Sequence, residues 1–261
     1  MKYLRPASEA EVVAEFLRNE FHHPDFDPCR ERFAALVRDP DLSDQAQNAV
    51  RRALFYRRRG HMWNQIPSGT AWSLVRLEPA DLDRLSVLPR AHWTKIAGGN
   101  YLLCHVVERI RTRDFHGTRV IGGSADGGIE ISDVGKQVDD IRAFSRQLSQ
   151  RSDDTAVVLI GIDDFQPVTI LEGNHRLTAA LLVSPELLRA QFRVYFGGSP
   201  AMAKCCWYRT NWPNMVRYAR NRIRHFGNPG ADLERVLPLL GRDEPGFSSP
   251  LPARKAISQT K

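Results

Sequence analysis

Residues 167–182 read Pro-Val-Thr-Ile-Leu-Glu-Gly-Asn-His-Arg-Leu-Thr-Ala-Ala-Leu-Leu. Val168, Thr169, Ile170 and Leu171 form a β-branched, apolar run that predicts a short buried strand. Gly173 ends it, and Asn174 is placed to cap a helix whose apolar positions, Leu177, Ala180 and Leu181, fall at helical spacing. A strand, a tight glycine turn and a helix opening on His175 and Arg176 follow from this pattern. Backbone N–H groups at such a terminus point outward, and the helix dipole adds partial positive charge. A guanidinium and an imidazole beside those donors make a seat for phosphate.

Each side chain of the motif has a chemical and a plainly structural reading. Glu172, at the end of the strand, is placed to hold Mg²⁺ or to accept a hydroxyl proton from an acceptor substrate; otherwise it pairs with Arg176 or caps backbone. Asn174 reads as a cap before it reads as a phosphate donor. His175 can donate to a phosphoryl oxygen or act as an acid–base group, or simply satisfy a buried carbonyl. The planar fork of Arg176 suits phosphate better than packing, its alternative being an ion pair with Glu172 or Asp164. Asp139 and Asp140 are neighbours on a helix and face different ways, and Asp163 and Asp164 read as turn formers, so the metal ligands stay unassigned.

Composition narrows the class. A chain of 261 residues, 42% hydrophobic and 26% charged, has the make-up of a globular protein. No apolar stretch reaches bilayer-spanning length and the start carries no signal-peptide core, so the expectation is a cytoplasmic protein without a membrane partner. Cys29, Cys104, Cys205 and Cys206 show neither zinc nor disulfide spacing. The adjacent pair Cys205-Cys206 reads as buried thiol before it reads as a redox site. His22, His23 and Cys29, beside proline, read as loop chemistry rather than a metal site. A net charge of +7 points to an anionic partner, phosphorylated small molecule or nucleic acid. Much of the excess sits in Arg51, Arg52, Arg57, Arg58 and Arg59, and in Arg217, Arg220, Arg222, Arg224 and His225; in helices such runs read first as solvated faces.

Along the chain, residues 1–65 read as a helical layer, with helices over 8–19 (Ser8 and Glu11 giving the cap signal), 30–38 and 43–58. Residues 66–200 form the core: a strand at 72–77, a short helix opened by Pro79 with Leu82, Leu85 and Leu88 on one face, and helical periodicity over 93–111 weakened at Gly98-Gly99. A glycine-rich loop follows at 122–128, then a helix from Val134, a buried strand at 156–162, the motif, and a strand at 192–196. Residues 201–241 form a helical extension with a helix over 212–225, and the composition of 242–261 predicts a disordered tail.

The order strand, helix, helix, strand, strand, Glu-Gly-Asn-His-Arg helix, strand, over about residues 70–200, resembles the ParB/sulfiredoxin-like superfamily. Its members place a Gly-x-His-Arg or related element after a strand and bind nucleotide phosphates at the following helix terminus. The resemblance implies an α+β fold, a small mixed β-sheet with flanking helices, here with a helical N-terminal layer and a C-terminal helix. It implies nucleotide-binding residues at Gly173, Asn174, His175, Arg176 and Thr178, with Lys136 on the preceding helix as a further phosphate contact. Sulfiredoxin carries its catalytic cysteine where this chain has Asn174, and an amide supplies no thiolate, so sulfinic-acid reduction is excluded. The partition proteins' Gly-Glu-Arg-Arg-type motif and helix-turn-helix are not evident. The free serine kinases' upstream base has Glu78 as its nearest candidate. Fic-type AMP transferases share some letters, but the place of their catalytic histidine is Val168, in a strand, and that match is rejected. The expected function is therefore a phosphotransferase or nucleotide hydrolase with catalytic residues Glu172, His175 and Arg176, using ATP or ADP, or CTP, with Mg²⁺ and a small-molecule acceptor. A ParB-like nucleic-acid-binding protein or nuclease is the second reading, and a ligand-sensing pseudoenzyme the third.

Overall fold

The computed structural model describes residues 1–90, 93–112, 119–123, 129–148, 155–187, 192–227 and 231–240. The chain forms β1 (Lys2–Ala7), α1 (Glu9–Glu20), α2 (Arg30–Arg38), α3 (Gln45–Trp63), β2 (Ala71–Arg76), β3 (Leu85–Ser86), α4 (Trp93–Ala97) and α5 (Leu103–Thr112). It continues through β4 (Arg119–Gly123), β5 (Ile129–Asp133), α6 (Val134–Leu148), β6 (Thr155–Gly161), β7 (Val168–Glu172), α7 (Asn174–Val183), β8 (Phe192–Gly198), α8 (Trp212–Gly227) and α9 (Ala231–Val236). The fold is α+β: a mixed six-stranded sheet, order β1-β2-β8-β6-β7-β3, flanked by helices. β6 runs parallel to β8 and β3 parallel to β7, while the other pairs are antiparallel.

Alternation along the central strands divides the core in two. Ala156, Val158, Ile160 and Leu171 face Val12, Phe16, Phe55, Trp63 and Trp207, from α1, α3 and the segment before α8. Val157, Leu159, Ile170 and Val194 face α4–α7 through Trp93, Val106, Ile141, Leu177 and Ala180. This explains the unbroken apolar run in β6, which is covered on both faces. Ser8 caps α1 by accepting from Glu11 N–H at 3.0 Å, as the sequence pattern requires.

The structure departs from the sequence reading in five places. Residues 1–65 are not wholly helical, because β1 pairs with β2 at the sheet edge. The segment after Pro79 is a single 3₁₀ run, Pro79–Arg84, after which Leu85 and Ser86 join β7 as a strand. The periodic stretch 93–111 is two helices, since Gly98 and Gly99 adopt φ +58° and +95°, which no helix continues. Gly122 and Gly123 belong to β4, paired with β5, rather than to a loop; the remainder of that stretch, 124–128, lies outside the described residues. A further helix, α9, follows α8. The tail at 242–261 also lies outside the described residues. Among the described residues no helix is long and apolar enough to cross a membrane.

Candidate functional site

The motif folds as strand, turn and helix, with one shift in role. Gly173, at φ +95° and ψ 15°, is the N-cap of α7, and Asn174 is already helical. A side chain at 173 is excluded twice over: the backbone is left-handed, and a Cβ there would lie 2.9 Å from Val157 Cγ2. Helix bonding begins with Leu177 N–H donating to Gly173 C=O at 2.9 Å, so the amides of the first turn are directed out of the N-terminal end.

Glu172 and Arg176 straddle this turn as an ion pair, Arg176 Nη2 to Glu172 Oε1 at 2.8 Å, with side chains only 18% and 13% exposed. The sequence offered phosphate, Glu172 or Asp164 as partners for this arginine, and the structure pairs it with Glu172. Strand register explains where Glu172 faces. Val158 pairs with Glu172 and Leu159 with Ile170, which leaves Leu171 without a partner and shifts the register at the end of β7. Glu172 thereby lies opposite Val158, on the face covered by α1 and α3. Asn19 Nδ2 donates to Ala156 C=O at 2.9 Å and pins the end of α1 over the same corner. The next residue, Glu20, binds Arg58 Nε at 2.5 Å and Arg59 Nη2 at 2.7 Å. Burial pushes the Glu172 carboxyl up; Arg176 opposes this, Glu20 reinforces it and Arg59 opposes it. Burial likewise works on Glu20, but Arg59 and Arg58 outweigh it and hold that carboxyl below its ordinary range.

His175 stands at the helix start, exposed as a residue but with its ring set against Trp93, centroids 4.9 Å apart, so that the imidazole is partly shielded from water. Burial of the ring and then the Arg176 charge lower its pKa, against the pull of Asp140 on α6, so the imidazole is neutral at pH 7. Lys136 lies one turn before Asp140, exposed, on the helix that packs against α7. The other two expected contacts point inward. Asn174 is buried, its Oδ1 accepting from Leu88 N–H at 2.9 Å and its Nδ2 donating to Ile170 C=O at 3.0 Å. Thr178 Oγ1 is buried and donates to Asn174 C=O at 2.7 Å. Both therefore fasten the motif rather than face outward from it.

Glu78 caps the 3₁₀ run, its N–H donating to Asp81 Oδ2 at 2.8 Å. Asp163 accepts from Phe165 and Gln166 N–H at 2.9 and 2.8 Å, the turn role its position predicts. Among the described residues no group of three or more His, Cys, Asp or Glu side chains is placed to hold a metal. The arginines of α3 are largely spent within the fold. Arg51 is 1% exposed and donates to Leu36 and Asp41 carbonyls, and Arg58 and Arg59 are bound by Glu20. Trp93, Glu20 and Arg59 were not legible as neighbours of the motif, because chain reversal alone brings them there.

Comparison with protein-family models, with curated proteins and with solved structures finds no match for this chain.

Proposed function

We propose that the chain is a nucleotide-binding enzyme of ParB/sulfiredoxin-like type, which holds nucleotide phosphates at residues 172–176 and transfers a phosphoryl group to a small-molecule substrate or hydrolyses the nucleotide. The observation that carries this reading is the Glu172–Arg176 pair at 2.8 Å, set across a left-handed glycine at the start of α7. A phosphate oxygen is a better partner for the Arg176 fork than a single carboxylate oxygen, because the first-turn amides add donors that Glu172 Oε1 does not use. Binding would then release Glu172, whose raised pKa suits a group that takes a proton from an acceptor hydroxyl. His175, neutral and exposed beside Arg176, is placed to donate one N–H to a phosphoryl oxygen. Phosphoryl transfer asks chiefly for positioning and charge neutralisation, so this small set suffices.

Phosphoryl chemistry on a nucleotide also calls for Mg²⁺. With Glu172 as the only carboxylate within the motif, the residues suit an ion shared with nucleotide phosphates, which supply most of its ligands, rather than an all-protein cage. Such an ion would neutralise phosphate charge.

The test is thermal unfolding with ATP, ADP or CTP, each with and without Mg²⁺. One nucleotide at about 100 times its Kd should stabilise the chain by about 2.7 kcal/mol, a rise of roughly 5–10 °C for a chain of this size. Arg176→Ala should abolish the rise while remaining folded. No shift with any nucleotide, or an equal shift in the variant, would sink the reading. The nucleic-acid alternative loses part of its support, since Arg51, Arg52, Arg58 and Arg59 of α3 are engaged within the fold; the arginines of α8 are exposed.

A further inference from the structure

We infer that the outer face of α8 docks the chain on an anionic phospholipid surface. Three observations converge on this helix. The first is charge. Residues 187–231 contain eight Lys and Arg and no Asp or Glu, in a chain with 37 and 30 in all. Taking those eight from the 37 leaves 29 cations against 30 acids, so this one stretch accounts for the whole positive excess. Lys204, Arg209, Arg217, Arg220, Arg222 and Arg224 of it are exposed.

The second is an outward apolar stripe. Trp212, Val216 and Ile223 are 80%, 42% and 73% exposed. With Ala219, also exposed, they fall at i, i+4, i+7 and i+11, a single line along a helix. By the same spacing, Arg220 and Arg224 flank the stripe on one side and Arg222 on the other.

The third is anchorage of the opposite face. Asn214 Nδ2 donates to the Ala203 and Arg209 carbonyls at 3.1 and 2.9 Å, and Asn221 Nδ2 donates to Asn64 C=O at 3.4 Å. Tyr218 packs on Trp207, and the Arg90 guanidinium lies 4.4 Å from the centroid of each ring. The stripe therefore faces outward because the other side of α8 is clamped to the body.

The occupant must be anionic and also offer an apolar layer. A nucleic acid would satisfy the arginines but leave Val216 and Ile223 nothing apolar to enter. A second copy of this chain would set arginine against arginine. A bilayer interface supplies phosphates for the flanks and acyl chains for the stripe at the depth an in-plane helix reaches. The expectation of no membrane partner rested on the lack of a spanning segment, a criterion that an interfacial helix escapes.

The test uses the full chain with vesicles of phosphatidylcholine alone or with 30% phosphatidylserine, followed by flotation and tryptophan emission, in parallel with binding to duplex DNA. Binding is expected with phosphatidylserine only and should fall with salt. Each arginine contributes about five-fold in partitioning, so Arg220→Glu with Arg224→Glu should weaken it at least 25-fold or so. Trp212→Ala with Ile223→Ala should weaken it about ten-fold or more. Both double variants should unfold at the wild-type temperature, their side chains being exposed, and should keep any nucleotide-induced shift, which separates this inference from the preceding one. It is overturned by an absence of binding to anionic vesicles, by binding that both variants retain, or by variants that lose DNA binding while vesicles are ignored.

Discussion

Substituting Gly173 by alanine tests the geometry on which the site depends. Two costs add at this position. Holding an L-residue at φ +95° costs about 1–3 kcal/mol. A Cβ 2.9 Å from Val157 Cγ2 cannot be accommodated without moving a side chain locked in the centre of the sheet, an overpacking cost of about 1–3 kcal/mol. Together they remove roughly 2–6 kcal/mol from a stability on the order of 5–15 kcal/mol, a fall in Tm of roughly 4–24 °C. The two parts are separable. Val157→Ala alone empties space beside Gly173 at a cost of about 2 kcal/mol. Combined with Gly173→Ala it should be less destabilising than the sum of the singles by about 1–3 kcal/mol, because the clash vanishes while the backbone strain stays. Denaturant unfolding of the four proteins gives the cycle directly. A Gly173→Ala variant within 0.5 kcal/mol of wild type would refute the left-handed turn, and strictly additive singles would refute the contact with Val157.

Three further outcomes follow from the ionisable groups. The Glu172 pKa is raised by burial in the folded state, so its contribution to stability is full below the unfolded value of about 4.5 and is lost as pH rises through the folded one. The Tm difference between Glu172→Gln and wild type should therefore move in favour of glutamine between pH 4 and pH 7.5, and a constant difference would contradict the burial argument. The His175 pKa is lowered, chiefly by burial, so its contribution is complete above about 6.5 and declines as pH falls through the folded value; His175→Gln should flatten the loss of stability between pH 7 and pH 5, and an unchanged slope would exclude burial of this ring as its cause. Burial pushes the Cys205 and Cys206 thiols up to about 12 and 11. Iodoacetamide at pH 8 should therefore label exposed Cys104 first, as mass mapping would show, and early labelling at 205 or 206 would reopen the redox reading.

Most of the fold was legible where periodicity and caps act locally. Ser8 and Glu11 begin α1, the apolar run of β6 marks a strand covered on both faces, and Gly173 stands where a strand must give way to a helix. What could not be read depends on partners distant in sequence. β1 has no buried face of its own and exists because β2 offers it an edge. Leu85 and Ser86 carry a helical pattern in their leucines yet become a strand because β7 lies beside them. The same limit applies at the site. Gly173, His175 and Arg176 are the residue types from which the anion seat is proposed. That Asn174 is consumed by the Leu88 amide and the Ile170 carbonyl depends on a segment 86 residues away.

The ion pair at the centre of the site is weak support for stability and better support for exchange. Burying two charges costs several kcal/mol per ion before their attraction is counted, and a well-packed apolar pair of similar volume commonly does as well or better. Here the balance is visible in Glu172 itself, whose pKa is raised although Arg176 lies 2.8 Å away: burial outweighs the partner. An arginine held in place by a reluctant carboxylate is oriented in advance but not firmly committed. The entropy of fixing its fork is met in the folded state, so a phosphate bound as proposed would need only to displace an oxygen that is poorly solvated where it stands. The neighbouring Glu20, bound by Arg58 and Arg59, adds to that reluctance from α1, which couples the N-terminal helices to the motif's ion pair. On this argument Glu20→Gln should lower the pKa of Glu172 and strengthen the internal pair. The nucleotide binding proposed here should weaken as a consequence, although none of the residues proposed to hold phosphate has been altered.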